Sequence, residues 1–242
     1  MTAIGMTSPW GRRFATWTLW GGGGAAVLAL VGSYGSGFGL WPFTIGFLFV
    51  GVALILAILA LLFGLVALVK RSAGRGVWFG LLCAAVFLGI MGYWVDRGRS
   101  NPPIHDITTD LANPPAFQKL ALRADNLIGV KTVDNWRAVH AKAFADIVPI
   151  TLAIPPAEAL KKAEALVRAR GWDVALVTPD RIEATETASP FAFKDDVVIT
   201  VAPGADGQGS LVNIRSVSRL GLSDLGVNAA RVRALMADLK GA

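Results

Sequence analysis

The sequence predicts an α-helical membrane anchor of three transmembrane helices followed by an α+β domain with a mainly antiparallel sheet and two main helices. Three observations carry this reading. The 242 residues are 54% hydrophobic and only 17% charged, with a mean hydropathy of +0.54, which excludes a disordered chain and an ordinary soluble enzyme. All 17 acidic residues lie at or after Asp96, so charge is confined to the second part of the chain. Beyond Pro149 the apolar period alternates between two and 3.6 residues, as strands and helices require.

Phe14 to Val69 carries no charge, which is too long for one span and long enough for two, since about 20 apolar residues cross the hydrocarbon core. Turn residues from Gly32 to Pro42 mark the expected break. The spans are then about Phe14–Val31 and Trp41–Val69, with a third, Val77–Val95, after the Lys70–Gly76 linker. The first is the weakest, because Gly21 to Gly24 each cost about 1 kcal/mol of helix propensity in water. A secretory signal, faintly suggested by Arg12-Arg13-Phe14, is the rival reading of that segment; a retained span is the expectation. No span contains an ionisable group, which argues against transport. Small residues recur four apart at Gly21/Ala25, Gly22/Ala26, Gly80/Ala84 and Ala85/Gly89. Such pairs allow close helix contact, either between spans one and three or with another membrane protein.

Arg12, Arg13, Lys70, Arg71 and Arg75 fall on one side of a three-span model. The positive-inside rule places them in the cytoplasm and sends the chain after Trp94 to the periplasm of an inner (plasma) membrane, although Arg97 and Arg99 weigh against it. Trp17, Trp41, Trp78 and Trp94 near the span ends fit an aromatic belt. The net charge of +6 therefore sits at membrane edges rather than in a nucleic-acid patch, and no nucleic acid is expected as a partner. Cys83 is the only cysteine, so an intrachain disulfide and cysteine-rich zinc sites are excluded.

The organisation expected is residues 1–95 as the transmembrane domain, 96–132 as an extended Pro-rich segment on the surface, neither helical nor stranded by period, and 133–242 as the periplasmic domain. Val133–Ile147 holds a short helix or turn. Ile150–Ile154 reads as a strand. Pro155-Pro156 opens a helix to about Arg170, with Glu158 in its first turn and Gly171 as its stop. Trp172–Val177 and Arg181–Thr187 form one hairpin, and Lys194–Ala202 and Leu211–Arg219 a second around the Gly-rich turn. A last helix runs from Ser223 or Asp224, as N-cap, to Leu239, burying Val232, Leu235, Met236 and Leu239.

In the second hairpin a symmetric register sets Asp196 opposite Val217, with Arg215 and Arg219 as same-face diagonals and Ser216 and Ser218 on the other face. The plain reading is a charge-paired knot tying hairpin to helix; the functional one is an anion or partner site built from Arg215, Arg219 and Arg231. For chemistry the only histidines are His105 and His140. His105 with Asp106 and Asp110 is a weak base or metal cluster. No catalytic motif such as G-x-S-x-G, a P-loop or H-E-x-x-H occurs. Neither an enzyme, a cofactor nor a metal is expected.

Ile104-His105-Asp106-Ile107-Thr108-Thr109-Asp110, Asn113–Phe117, Ile182-Glu183-Ala184-Thr185, Phe193-Lys194-Asp195-Asp196 and Ile214–Asn228 together resemble an uncharacterised bacterial and plastid family, the domain of unknown function 1499, over roughly Pro103 to Asp238. The family pattern has aspartate where this chain has Asn213. The resemblance implies no activity, substrate or cofactor. It marks His105, Asp106, Thr108, Thr109, Asp195, Asp196, Arg215, Ser216, Ser218, Arg219, Asp224 and Asn228 as signature positions. The function expected is that of a non-catalytic membrane protein whose domain binds or stabilises a partner membrane-protein complex. The alternatives are a lipid or small-anion binding module and a hydrolase centred on His105.

Overall fold

A computed structural model describes residues 9–205 and 207–241. The chain divides into two units: residues 1–95 with the Ser189–Ala192 segment, and residues 96–188 with 193–242.

The first unit is built on three helices long and apolar enough to cross a membrane: α1 (Pro9–Gly37), α2 (Phe43–Val69) and α3 (Arg75–Ser100). α1 does not stop at Gly32. Ser33 donates to the Ala29 carbonyl at 2.7 Å, and the Trp41 indole N–H donates to the Gly32 carbonyl at 3.0 Å. Packing against α2 thus carries the helix through residues whose intrinsic preference is to end it. The chain turns only at Gly39, where φ is 75°. The glycine run works by absence: a Cβ on Gly22 would stand 2.0 Å from the Gly80 carbonyl oxygen, and one on Gly80 2.2 Å from that of Thr18. Spans one and three therefore pack backbone to backbone within this chain, as small-residue pairs permit. Gly22, Ala25, Gly80 and Ala84 are buried in that packing, while Ala85 and Gly89 face outward.

The second unit carries an antiparallel six-stranded sheet: β1 (Asp106–Thr108), β2 (Ile150–Leu152), β3 (Asp173–Thr178), β4 (Arg181–Ala188), β5 (Phe193–Pro203) and β6 (Ser210–Ser218). The order is β1-β6-β5-β4-β3, and β2 also pairs with β6. Thus β1 and β2 lie end to end along one edge of β6. α4 (Val133–Ala143), α5 (Pro156–Ala169) and α6 (Val227–Lys240) complete the unit. One face of the sheet, through Ile182, Ala184, Val197, Ile199, Val201, Val212 and Ile214, forms a single core with Ala163 and Val167 of α5 and Val232, Leu235 and Leu239 of α6.

Two expectations are corrected here. Residues 96–132 belong to this unit, and Asp106–Thr108 is a buried strand. Three residues between proline pairs show no readable period, and only pairing with β6 makes them a strand. The last helix begins at Val227, because Gly226 is left-handed (φ 79°) and not helical. Asp224 still does capping work: its carboxylate accepts from the Gly226 amide at 2.9 Å and the Asn228 amide at 2.5 Å.

Candidate functional site

Alternation along β5 and β6 sorts the signature residues onto the two faces of the sheet. The register sets Asp195 opposite Ser218 and Asp196 opposite Val217, as the symmetric hairpin predicts. β1 adds Asp106 opposite Val217 and Thr108 opposite Arg215. Asp106, Thr108, Asp196, Arg215 and Arg219 thus share one face; Asp195, Ser216 and Ser218 share the other.

On the first face Arg215 forks onto Asp106, with Nε to Oδ1 at 2.9 Å and Nη2 to Oδ2 at 2.7 Å. Its Nη1 donates to the Pro115 carbonyl at 3.1 Å, and the Asn126 amide donates to Asp106 at 2.5 Å. A strap from residue 109 to 131 covers this pair. The strap is fastened by Glu183, fully buried, whose carboxylate accepts the backbone N–H groups of Gln118 (2.5 Å), Lys119 (2.9 Å) and Leu120 (2.8 Å). Next to them Arg219 forks onto Asp196, both bonds at 2.8 Å, and Thr185 donates to Asp196 at 2.7 Å. The Arg219 side chain is 42% exposed, against 10% for Arg215. Hydrogen bonding to Asp196 raises the Arg219 pKa above its ordinary value.

On the helical face Arg231 of α6 reaches the sheet. It pairs with Asp195 at 2.6 Å and with Glu186, and donates to Ser216 at 3.0 Å and to the Asn228 side-chain carbonyl. The Asn228 amide nitrogen donates to the Ser218 hydroxyl at 2.8 Å and the His105 carbonyl at 3.0 Å. Burial pushes the Asp224 carboxyl up, against the pull of its two backbone donors.

The proposed triad of arginines is corrected by this geometry. Arg231 lies on the face opposite Arg215 and Arg219, and each of the three guanidiniums is paired with a carboxylate. The His105, Asp106 and Asp110 cluster is also dispersed. Asp106 is committed to Arg215, and Asp110 accepts from the Ala112 and Asn113 amides at 3.0 and 2.8 Å in a local turn. His105 is buried with its Nδ1 3.4 Å from the Leu222 carbonyl, and among the described residues its Nε2 has no hydrogen-bond partner. Thr109 serves the β1–β6 pairing, its hydroxyl accepting the Ile214 amide at 2.9 Å. Thr108 offers its amide to His140 Nε2 at 3.1 Å; burial lowers the His140 pKa. Among the described residues no group of three or more His, Cys, Asp or Glu side chains is placed to hold a metal ion.

Sequence reasoning missed Glu183, Glu186, Asn126 and His140. Glu183 alternates with Ile182 and Ala184 and so reads as solvent-facing; the strap that covers it has no periodic signal. Two aspects of the charge network, the hairpin register and its two faces, were legible.

The run of paired positions from Asp106 to α6 is matched as one pattern by the family described as protein of unknown function (DUF1499), over residues 106–239, more than half of the chain. The chain belongs to that family. No curated protein and no solved structure matches it. The match to DUF1499 spans both charge networks and both hairpins, and ends in α6.

Proposed function

We propose that this DUF1499 protein is a non-catalytic inner-membrane protein whose α+β domain stands in the periplasm and acts as an accessory subunit, binding or stabilising a partner membrane-protein complex. One observation carries the reading. The signature carboxylates Asp106, Asp195 and Asp196 and the guanidiniums Arg215, Arg219 and Arg231 are paired with one another, so each buried charge already has its partner, and removing either one would leave the other uncompensated. A fold that spends its charged side chains internally leaves recognition to its surface and to its helices. Ala85 and Gly89, small and outward on α3, suit close approach by a helix of another protein. The periplasmic placement is supported by the five basic residues before Val77, which favour the cytoplasmic side.

Purification of the full chain in mild detergent after crosslinking in membranes tests the role. A co-migrating membrane protein is expected; a monomer that captures nothing under either condition counts decisively against it. A reporter fused after Ala242 and active only outside the cytoplasm tests the orientation.

A second reading, a small-ligand module, is favoured by one feature: an open groove of about 430 Å³ lined by Arg170, Trp172, Glu186 and Arg231 together with the start of α6. Native mass spectrometry of the purified chain with a bound small molecule would move the assignment there.

A further inference from the structure

We propose that the first unit holds an anionic phospholipid, with one acyl chain in a groove between α1 and α2 and the phosphate on Arg13 and Lys70. The proposal rests on the helices crossing a bilayer and not on any protein partner.

The groove has a volume of about 380 Å³ and a wholly apolar lining: Trp17, Trp20 and Gly21 of α1 face Leu56, Ala60 and Phe63 of α2, with Leu59 beside them. Small-molecule sites have volumes of roughly 300–1,000 Å³. Gly21 makes the floor. A Cβ added there would stand 3.2 Å from the Ala60 Cβ, so the two helices nearly touch, and the larger side chains on either side of that contact form walls. Trp20 is 73% exposed and Leu59 38%. A cleft left empty would forfeit dispersion contacts along its walls, and in hydrocarbon the occupant at hand is an acyl chain.

The charges at one end of the groove select the lipid. Trp17, Trp20 and Gly21 stand four, seven and eight positions after Arg13, on one stripe of α1. Ala60, Phe63 and Lys70 stand four, seven and fourteen positions after Leu56, on one stripe of α2. The two stripes run in opposite directions and end in a cation at the same place: a Cβ on Gly11 would lie 3.3 Å from the Lys70 Cβ. One level down, the Trp17 and Phe63 rings meet with their centroids 5.2 Å apart. Arg13 is four residues from Trp17, about 6 Å of helix rise, and Lys70 seven from Phe63, about 10 Å. The polar layer on each side of the hydrocarbon core is roughly 6 Å deep, so the two side chains reach phosphate level above a chain lying in the groove.

Both cations are exposed. Neither has a carboxylate in its own unit, because Asp96 is the first acidic residue of the chain. The Arg13 guanidinium carbon lies 4.9 Å from the centre of the Trp10 ring. A ring takes the face of a guanidinium and leaves its in-plane N–H groups for an oxyanion. A headgroup with net negative charge complements the pair. A zwitterionic one carries its own counter-charge and gains less.

The test titrates the full, delipidated chain in mild detergent with phosphatidylglycerol or phosphatidylcholine of identical acyl chains, and with glycerol 3-phosphate. Bound lipid is read by native mass spectrometry. Two cations facing one anionic headgroup predict tighter binding of phosphatidylglycerol by about 30-fold, and glycerol 3-phosphate, lacking the chain, should not bind. R13Q/K70Q should erase the preference between the lipids. L59W, which fills the groove, should weaken both lipids together. R75Q removes a cation at the same end but on α3, and should leave the preference intact. Equal binding of the two lipids by the wild type overturns the proposal. So does a preference that R75Q abolishes as fully as R13Q/K70Q, since bulk charge would then explain it. Undiminished binding by L59W, or binding of glycerol 3-phosphate as tight as that of the lipid, removes the groove's part. A dimer that takes up no lipid overturns it as well, because a second copy would then cover the groove. Should R13Q/K70Q fail to fold, the wild-type comparison and L59W still decide. No other protein is present, so each result is independent of the accessory-subunit reading.

Discussion

Under the 109–131 strap, Asp106 has one guanidinium and Glu183 three backbone donors; on the helical face, Asp195 shares Arg231 with Glu186, Ser216 and Asn228. The first arrangement ties a segment without regular structure to the sheet. The second ties a helix that is already held by its apolar side. On the strap side charge works with a few apolar anchors, Leu111, Leu127 and Val130, whereas on the helical side it supplements a continuous apolar face. Removing a partner from a buried pair leaves an uncompensated charge, and the penalty depends on what else that charge can reach.

The largest effect is expected for Asp106→Ala, which strands Arg215: a loss of about 3–5 kcal/mol, read by denaturant unfolding of the full chain in detergent with tryptophan fluorescence. Glu183→Ala frees three backbone N–H groups of the strap and takes the carboxylate from Arg181, 3.4 Å away, and should cost about 3 kcal/mol, with early proteolysis between residues 109 and 131 as its signature. Asp195→Ala leaves Arg231 its Glu186 partner, so about 2 kcal/mol is expected. A loss as large as that of Asp106→Ala would break the distinction between the faces. Arg219→Ala removes the more exposed partner of the buried Asp196, which keeps the Thr185 hydroxyl as a donor and gains access to water once the guanidinium is gone, so the smallest loss of the series is expected, about 1–2 kcal/mol.

Acidity sharpens the contrast. Burial lowers the His140 pKa, so the unfolded chain binds the proton more readily, and stability should be lost as pH falls below the ordinary histidine value near 6.5. The Asp224 carboxyl is raised by burial, so there the folded chain holds the proton longer, and stability falls as pH rises from the ordinary carboxylate value to the raised one. Melting temperatures of wild type and His140→Gln across that range check the sign: the variant should lose the acid-side decline. An unchanged decline would remove His140 as its source.

Regular elements with their own periodic signal were readable from residues alone. Pro155-Pro156 and Gly171 bracket α5, and alternation in β5 and β6 sets the register that puts Asp196 beside Arg219. What escaped was whatever only a neighbour creates. β1 is a strand because β6 offers it an edge, Glu183 is buried because an aperiodic strap lies over it, and α1 continues past Gly32 because α2 packs against it. The charged site was half legible for the same reason. Pairs within one hairpin follow from register, but the match of Arg215 to Asp106 joins residues 109 positions apart, and the face chosen by Arg231 depends on where α6 docks.

β6 has its outer edge closed by two short strands drawn from either side of a 41-residue excursion, β1 at Arg215–Val217 and β2 at Ser210–Val212. A fragment beginning at Val133 would keep one of these and lose the other. Half of that edge would then present bare N–H and C=O groups, an invitation to strand addition by a neighbouring copy. Soluble versions of the domain should accordingly start ahead of Ile104, and those that start later are expected to aggregate.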